Sequence, residues 1–344
     1  MATVKREAAP ARPGEELATY LPWYRLMVLA RRFEEEAERA FRRGKVGGYL
    51  HLYNGQEAVA AGWLAALRAD DIFFTAYRDH AHAIFRGTEP RRIMAELFGK
   101  VTGVAKGKGG SMHIFDVARG FYGGYGIVGG HIPLATGAAY ALRYLGTDRI
   151  CLCFLGDGAM HSGSFHEPVN MAALWGREGL CPIVYIVENN QYAMGTSVER
   201  STVVTELARK FDAYGIPSER IDGQDLLTVH ETAQRVVRQV RERGAPYAVE
   251  CLTYRFAGHG AADLFQPYRT REEVERWKQR DPILLLERRL REAGLLDDAQ
   301  VAAIAQEAEA QVAEAVRFAE ESPAPDPEEL TRDVYTDPPF GFVP

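Results

Sequence analysis

The chain has 344 residues, of which 47% are hydrophobic, and its 41 basic and 47 acidic side chains give a net charge of −6. This hydrophobic content excludes an intrinsically disordered protein, and the mildly acidic balance argues against a nucleic-acid partner, which normally requires a basic face. No apolar run reaches the roughly 18 residues that a membrane-spanning helix needs, and the first residues lack the apolar core of a signal peptide.

The composition changes at both ends of the chain. Residues 1–16 combine alanine, proline and charge, which predicts a flexible tail, and residues 323–344 are rich in proline and acidic residues, which predicts an extended tail. Residues 17–322 are long enough for one large α/β domain. Four cysteines without zinc-site spacing indicate a reduced, cytoplasmic protein: Cys151, Cys153, Cys181 and Cys251.

Helical periodicity dominates the N-terminal part. The pattern predicts one helix over about 15–43, ended by glycines, and a second helix from near Gln56. Residues 99–130 are then so rich in glycine that few regular elements are expected. A long irregular segment inside a globular domain usually serves function, so we expect part of the site there.

After residue 130, apolar strands alternate with helices, which is typical of a parallel sheet with helical crossovers. The predicted α/β fold is a parallel sheet flanked by helices, with a core over about 99–269 and charged C-terminal helices over 270–322. The predicted strands are 150–155, 183–187, 219–222 and 247–253. The predicted helices between them are 132–144, 163–176, 203–214 and 225–243.

A glycine pattern at Gly124, Gly126 and Gly129 matches the dinucleotide fingerprint letter for letter. That fingerprint must follow a strand, and residues 121–123 are not a hydrophobic strand by sequence. The pattern therefore favours a loop that brings its backbone close to some other ligand, because glycine allows such an approach.

Asp157 lies between two glycines, directly after the predicted strand 150–155. Ligands of parallel sheets collect at the carboxyl ends of strands, and a carboxylate there offers oxygen ligands to Mg²⁺. The next predicted strand, 183–187, runs into Asn189 and Asn190. If the two strands are neighbours, Asp157 and Asn190 meet at one sheet edge and supply part of a magnesium shell.

At these residues the sequence resembles the thiamine diphosphate-dependent 2-oxo acid dehydrogenases, and specifically the alpha subunits of the pyruvate dehydrogenase type. The resemblance extends from about residue 20 to 340. It rests on Gly156-Asp-Gly158 and on several longer stretches, which are 51–57, 106–113, 126–129, 170–175, 188–190, 194–200 and 268–273. The implied fold is the thiamine diphosphate-binding fold with N-terminal and C-terminal helical extensions.

The resemblance implies roles for individual residues. It assigns Mg²⁺ to Asp157, Asn190 and the carbonyl of Tyr192. It assigns the cofactor's diphosphate to Tyr77, Arg78, Gly158, Ala159 and His259, and its aminopyrimidine ring to Gly126 and Val128.

Two histidines are expected to be catalytic by the same resemblance. His51 matches the histidine near the reacting centre, and His259 matches a loop histidine at the diphosphate. His80 and His82 lie two residues apart, a spacing that cannot direct both rings to one metal on a helix, so we predict structural roles for them.

The resemblance also implies partners. In this family the glutamate that activates the cofactor lies on a separate beta subunit, and this chain shows no matching motif. We therefore expect a heterotetramer of two alpha and two beta chains. This assembly acts on a small 2-oxo acid and passes the acyl group to a lipoyl-bearing dihydrolipoyl acyltransferase.

Three other functions stay open at this stage. An acetoin dehydrogenase alpha subunit, or that of another 2-oxo acid dehydrogenase, shares most of these motifs. An NAD-binding oxidoreductase would use the glycine pattern around Gly126. A catalytically silent scaffold subunit is the third, although the complete set of predicted site residues argues against it.

Overall fold

The computed structural model describes residues 17–263, 266–332 and 334. Its strands are β1 Ile72–Ala76, β2 Phe121–Tyr125, β3 Cys151–Gly156, β4 Ile183–Asn189, β5 Tyr192–Ala193, β6 Thr196–Ser197, β7 Ser218–Asp222 and β8 Tyr247–Leu252. Its α-helices are α1 Leu21–Arg42, α2 Glu57–Ala65, α3 His80–Phe85, α4 Pro90–Leu97, α5 His131–Tyr144, α6 Gly163–Gly176, α7 Val198–Ser201, α8 Leu226–Arg243, α9 Arg271–Lys278, α10 Pro282–Glu292 and α11 Asp298–Glu321.

Six strands form one parallel sheet in the order β2-β1-β3-β4-β8-β7. Its central strands β3 and β4 are short, mostly apolar runs, and every residue of β4 is buried. Such runs are typical of strands covered by helices on both faces. The predicted α/β fold with a parallel sheet is confirmed.

Helices cover both faces of the sheet. On one face α1, α2, α8, α10 and α11 enclose a core that includes Met27, Phe33 and Trp63. On the other face α5, α6 and the 3₁₀ helix Leu207–Tyr214 enclose a second core around Phe165. Each fully buried side chain of this size contributes about 1.5–3 kcal/mol, so these layers fix the sheet and its strand ends.

The structure corrects several expectations. Strand β1 and helices α3 and α4 were not predicted, and residues 207–214 form a 3₁₀ helix where the sequence predicts an α-helix. The largest error concerns β2, because a strand lies within the glycine-rich segment that we expected to be irregular. An edge strand needs only one neighbour, so it tolerates glycines that a central strand would not.

A bulge lets β2 pair with β1 despite its glycines. Phe73 pairs with Phe121, but Thr75 pairs with Gly124, so β2 contains one extra residue. Gly123 has a φ of +116°, and the Phe115 ring occupies the space that a Cβ atom would need there. The rings of Phe73 and Phe121 stack with centroids 4.5 Å apart and hold the strand in place.

The predicted tails lie largely outside the described residues, since 1–16 of the first tail and 333 and 335–344 of the second are not described. In the part that is described, Pro327–Leu330 forms one 3₁₀ turn, and the N–H of Val101 donates to the carbonyl of Pro323. Among the described helices, none combines the length and apolar character needed to cross a membrane.

Gly123→Ala should destabilise the protein by about 2–4 kcal/mol, because it adds a strained positive φ to a steric clash with Phe115. Gly146→Ala is the matched control, since its φ is +71° but no atom lies within 4 Å of the added Cβ position. It should cost about 1 kcal/mol. Urea unfolding measures both, and equal losses would contradict the role given to the bulge.

Candidate functional site

The carboxyl ends of three neighbouring strands meet at one edge of the sheet. Gly156 at the end of β3 pairs with Glu188 near the end of β4, and Glu188 pairs with Cys251 near the end of β8. The residues that follow each strand, among them Asp157, Asn190 and Arg255, therefore lie side by side. This confirms that the strands carrying Asp157 and Asn190 are neighbours.

A cavity of about 440 Å³ opens at this edge. It brings together all of the site residues predicted from the sequence, which are His51, Tyr77, Arg78, Gly126, Val128, Asp157, Gly158, Ala159, Asn190, Tyr192 and His259. Its wall also contains residues that the sequence analysis did not select, including Tyr49, Met112, Glu188, Met194 and Arg255.

Asp157 is a buried carboxyl group with incomplete hydrogen bonding. Only 2% of the residue is exposed, and its Oδ2 atom has no hydrogen-bond partner. Burial raises the pKa of Asp157 to about 6, and the nearby Arg255 opposes that rise. A buried carboxylate oxygen without a partner is costly, so this atom is available for a cation.

Gly158 allows the chain after β4 to come close to Asp157. A Cβ atom at position 158 would lie 2.7 Å from the Cβ of Ala193. Asn190 and Tyr192 thereby reach the same part of the cavity as the Asp157 carboxylate. A carboxylate, an amide oxygen and a main-chain carbonyl are all ligands suited to a hard cation.

The turn over residues 190–194 is strained. Gln191 and Met194 have backbone φ values of +78° and +56°, which residues other than glycine rarely adopt. Such residues cost on the order of 1–3 kcal/mol each and persist only where their surroundings hold them. Arg255 supplies part of that hold, since its Nη1 donates to Asn190 Oδ1 at 3.0 Å and to the carbonyl of Tyr192 at 2.7 Å.

Arg78 joins the segments that carry the two predicted catalytic histidines. Its guanidinium donates to the carbonyl of Leu52 at 2.5 Å and to the carbonyl of His259 at 2.8 Å. The neighbouring carboxylate of Asp79 accepts the N–H of Ile114 and does not pair with Arg78. Burial lowers the pKa of Arg78 to about 10, which leaves it cationic at neutral pH.

His51 and His259 lie with ring centroids 4.9 Å apart, and the Nδ1 atom of each is buried without a partner. Burial and the charge of Arg78 lower the pKa of His51 to about 2 and that of His259 to about 3. Both rings are therefore neutral at physiological pH. A neutral imidazole offers one donor and one acceptor to a bound molecule.

Aromatic side chains surround His51. The centroid of the Tyr77 ring lies 4.4 Å from that of the His51 ring, and Tyr49 stacks on His51 with a centroid distance of 5.6 Å. Tyr49 is 59% exposed and stands at the cavity mouth. These contacts fix the His51 ring without using its nitrogens.

The glycine pattern at 124–129 contributes one wall of the cavity. It does lie between a strand, β2, and a helix, α5, so the sequence argument that no strand precedes it was wrong. Local packing and backbone conformation nevertheless explain why glycine is required at these positions. A side chain on Gly124 would collide with the Asp79 carboxylate, and Gly129 has a φ of +79° with Ser162 and Ser164 close by.

Comparison with known proteins identifies the family of this chain. A family model described as "Dehydrogenase E1 component" matches residues 24–328. The chain belongs to the dehydrogenase E1 component family.

Several relatives within this E1 family are named "Pyruvate dehydrogenase E1 component subunit alpha". The protein of Rickettsia felis is 45% identical over 92% of this chain and 95% of the relative. The protein of Rhizobium meliloti is 43% identical over 90% and 88%. "Pyruvate dehydrogenase E1 component subunit alpha-3, chloroplastic" of Oryza sativa is 41% identical over 98% of this chain and 81% of the relative.

Two charged residues of the described cavity wall, Arg255 and Glu188, were missed by the sequence analysis. Arg255 follows β8 at the same sheet edge, so the rule that selected Asp157 and Asn190 could have found it. Glu188 accepts a hydrogen bond from Tyr53, and His82 lies 3.4 Å from the same carboxylate. These contacts join residues more than 100 positions apart, so no local sequence motif predicts them.

His80 and His82 are buried on α3, as structural residues would be. His80 pairs with Glu34 at 2.8 Å. The described residues contain no group of three or more histidine, cysteine, aspartate or glutamate side chains that could hold a metal. A cation at this cavity would instead use one carboxylate together with amide and carbonyl oxygens.

Acid should destabilise the metal-free protein partly through His51. The unfolded chain binds a proton at this histidine below its ordinary pKa of 6.5, whereas the buried ring stays neutral. Each such site removes up to about 1.4 kcal/mol per pH unit on acidification. His51→Gln should therefore flatten the loss of unfolding free energy between about pH 6.5 and 4.5, measured by urea unfolding.

The neutral range provides the control for this experiment. Above the ordinary pKa of histidine, wild type and His51→Gln should show the same pH dependence, since neither state binds a proton there. Parallel curves across the acidic range would contradict a buried neutral His51.

Proposed function

We propose that this chain is the alpha subunit of a thiamine diphosphate-dependent pyruvate dehydrogenase. The enzyme decarboxylates pyruvate oxidatively and transfers the acetyl group to a lipoyl group. The observation that carries the proposal is the single cavity at the ends of β3, β4 and β8, which contains every predicted site residue. Membership of the E1 family supports it, as does a relative matched over 92% of this chain and 95% of its own length.

The E1 family is thiamine diphosphate-dependent, and the cavity suits that cofactor together with Mg²⁺. Asp157 Oδ2, Asn190 Oδ1 and the carbonyl of Tyr192 would hold the metal. The formal charges of Arg78 and Arg255 cancel those of Asp157 and Glu188, so a diphosphate meets no net positive charge. A divalent cation would supply this positive charge, which is why binding of the diphosphate would need the metal.

The remaining predicted residues divide between the two ends of the cofactor. Tyr77, Arg78 and His259, with the backbone of Gly158 and Ala159, would bind the diphosphate. Gly126 and Val128 would present their backbone to the aminopyrimidine ring. Thiamine diphosphate, when bound, supplies the nucleophilic carbon and the electron sink that decarboxylation of a 2-oxo acid requires.

His51 and His259 would act as neutral hydrogen-bonding groups. Burial disfavours the cationic form of both rings and Arg78 repels it, and these two effects lower the pKa of both histidines. His51 can therefore orient the substrate through a hydrogen bond while it holds no charge of its own. Arg78 keeps both histidine-bearing segments in place through their carbonyls.

The chain would supply half of each active site, and a beta subunit the other half. Glu188 is the one glutamate in the described cavity wall, and its carboxylate already accepts a hydrogen bond from Tyr53. The activating glutamate would therefore come from the beta chain. Apolar side chains exposed at the cavity support such a partner, with Ile127 beside the cavity wall 77% exposed and Met194 in that wall 66% exposed.

The complete enzyme would be a heterotetramer of two alpha and two beta chains that serves a lipoyl-bearing acyltransferase. We place it in the cytoplasm, a location supported by four buried cysteines that are all free thiols. The alternative substrate is acetoin, which is a hydroxyketone, or a 2-oxo acid other than pyruvate. Family membership argues against an NAD-binding oxidoreductase and a silent scaffold.

Asp157→Ala should abolish Mg²⁺-dependent binding of thiamine diphosphate, because the diphosphate then lacks its counter-ion in a buried site. Calorimetry with the assembled enzyme measures the affinity. Asp298→Ala is the control, since the Asp298 side chain is 97% exposed and lies far along the chain on α11. Undiminished cofactor affinity in Asp157→Ala would exclude this metal site.

The purified chain alone should show no decarboxylation, whereas co-expression with its beta chain should give an active tetramer. The substrate is decided by assaying the tetramer with pyruvate, other 2-oxo acids and acetoin, using reduction of a lipoyl domain as the readout. Turnover without a beta chain would contradict the half-site. A preference for acetoin would replace pyruvate dehydrogenase by the alternative.

A further inference from the structure

Arg255 contacts the same oxygen atoms that the proposed function gives to the metal. We propose that Arg255 is a positioning residue, which shapes the turn over 190–194 before Mg²⁺ binds. The inference rests on the proposed function, because it concerns the ligands of that metal. It assigns a role to a residue that the sequence analysis left without one.

The guanidinium group reaches three oxygens of one short turn. Nη1 donates to Asn190 Oδ1 at 3.0 Å and to the Tyr192 carbonyl at 2.7 Å, and Nη2 donates to the Met194 carbonyl. Amide and carbonyl oxygens each have two lone pairs. Asn190 and Tyr192 can therefore accept from Arg255 and still bind a cation.

The turn needs such a hold because its backbone is strained. Gln191 and Met194 both have positive φ values. On one side, the antiparallel pair β5–β6 fixes Tyr192 against Ser197. On the other side, Arg255 ties the turn to the chain that follows β8 through its hydrogen bonds to Asn190, Tyr192 and Met194.

Arg255 is itself held rigidly. Only 1% of the residue is exposed, and its guanidinium carbon lies 5.9 Å from the ring centroids of both Tyr192 and Tyr268. Arg269 donates to the Arg255 carbonyl at 2.6 Å. The planar fork thus has a fixed place without any metal, as preorganisation of the ligands requires.

Charge and geometry predict opposite effects of Arg255 on the metal. A cation near the ligands repels Mg²⁺, so charge alone predicts that loss of Arg255 tightens binding. Positioning predicts the reverse, because the strained turn relaxes and the two oxygens move out of place. The sign of the change in Mg²⁺ affinity therefore separates the two effects.

The test compares Arg255→Lys, which keeps the charge but loses the fork, with Arg255→Gln, which loses both. Arg241→Lys is the matched control. Arg241 is a largely buried arginine that donates to both Asp71 oxygens and to the Asp148 carbonyl at the opposite edge of the sheet. Calorimetry measures Mg²⁺ binding to the metal-free tetramer at saturating thiamine diphosphate.

Both Arg255 variants should bind Mg²⁺ about 10- to 100-fold more weakly, as is usual when a group that orients metal ligands is removed. Arg241→Lys should stay within about threefold of wild type. Adding Gln191→Gly to Arg255→Lys should recover part of the affinity, because glycine adopts the positive φ without strain. A merely structural role for Arg255 predicts no such recovery.

Several results would overturn the inference. Arg255→Lys with wild-type affinity would do so, as would tighter binding by Arg255→Gln. If the Arg255 variants do not assemble, hydrogen exchange of residues 190–198 in the wild-type tetramer decides. Slow exchange before Mg²⁺ is added supports a preformed turn, and protection that appears only with Mg²⁺ contradicts it.

The proposed function fails in a different way. In that case the wild-type tetramer itself binds neither Mg²⁺ nor thiamine diphosphate. Wild-type binding combined with unchanged Arg255 variants refutes only the positioning role.

Discussion

The site depends on the parallel pairing of β3, β4 and β8. Because their registers place Gly156, Glu188 and Cys251 in one row, the chain leaves all three strands at the same edge. A carboxylate, an amide and a guanidinium follow within a few residues of these ends. Two helical layers hold the sheet from both faces, so the positions of these groups are set by the hydrophobic core and not by the loops alone.

Balanced formal charge is the second constraint on the cavity. Two arginines and two carboxylates line the cavity, and the two histidines stay neutral because they are buried and because protonation would add charge beside Arg78. One carboxylate oxygen, Asp157 Oδ2, is left without a partner. In the proposed function this oxygen would bind one divalent cation, which would give the cavity an excess of positive charge for an anionic ligand.

Much of this arrangement could be predicted from sequence because its signals are local. The apolar runs of β3 and β4 indicate buried parallel strands, and Asp157 and Asn190 follow them directly. The β2 strand could not be predicted in this way, since its pairing rests on a bulge at Gly123 and on the ring of Phe115. Its place next to β1 is a tertiary property, and glycine composition alone favours irregular structure.

The contacts of Arg255 were hidden for a related reason. Its acceptors lie 61 to 65 positions away along the chain, and they meet it only because β8 is the neighbour of β4. Residues that follow β8 lie at the same sheet edge as those that follow β3. An arginine is not a metal ligand, however, so a search for metal ligands does not select it. Sequence reasoning based on ligand chemistry overlooks residues that act by holding the ligands.

In the proposed function the glycine-rich loop over residues 124–129 would contact both the beta subunit and the cofactor. Val128 lines the cavity and is half exposed, and its neighbour Ile127 is largely exposed. The segment has little side-chain anchoring of its own, because Gly124, Gly126 and Gly129 lack side chains. A partner that covers Ile127 would bury apolar surface and, by the same contact, stiffen the wall against which the cofactor rests. In the proposed function the cofactor and the beta subunit would therefore act on one loop, and each would favour the arrangement that the other binds.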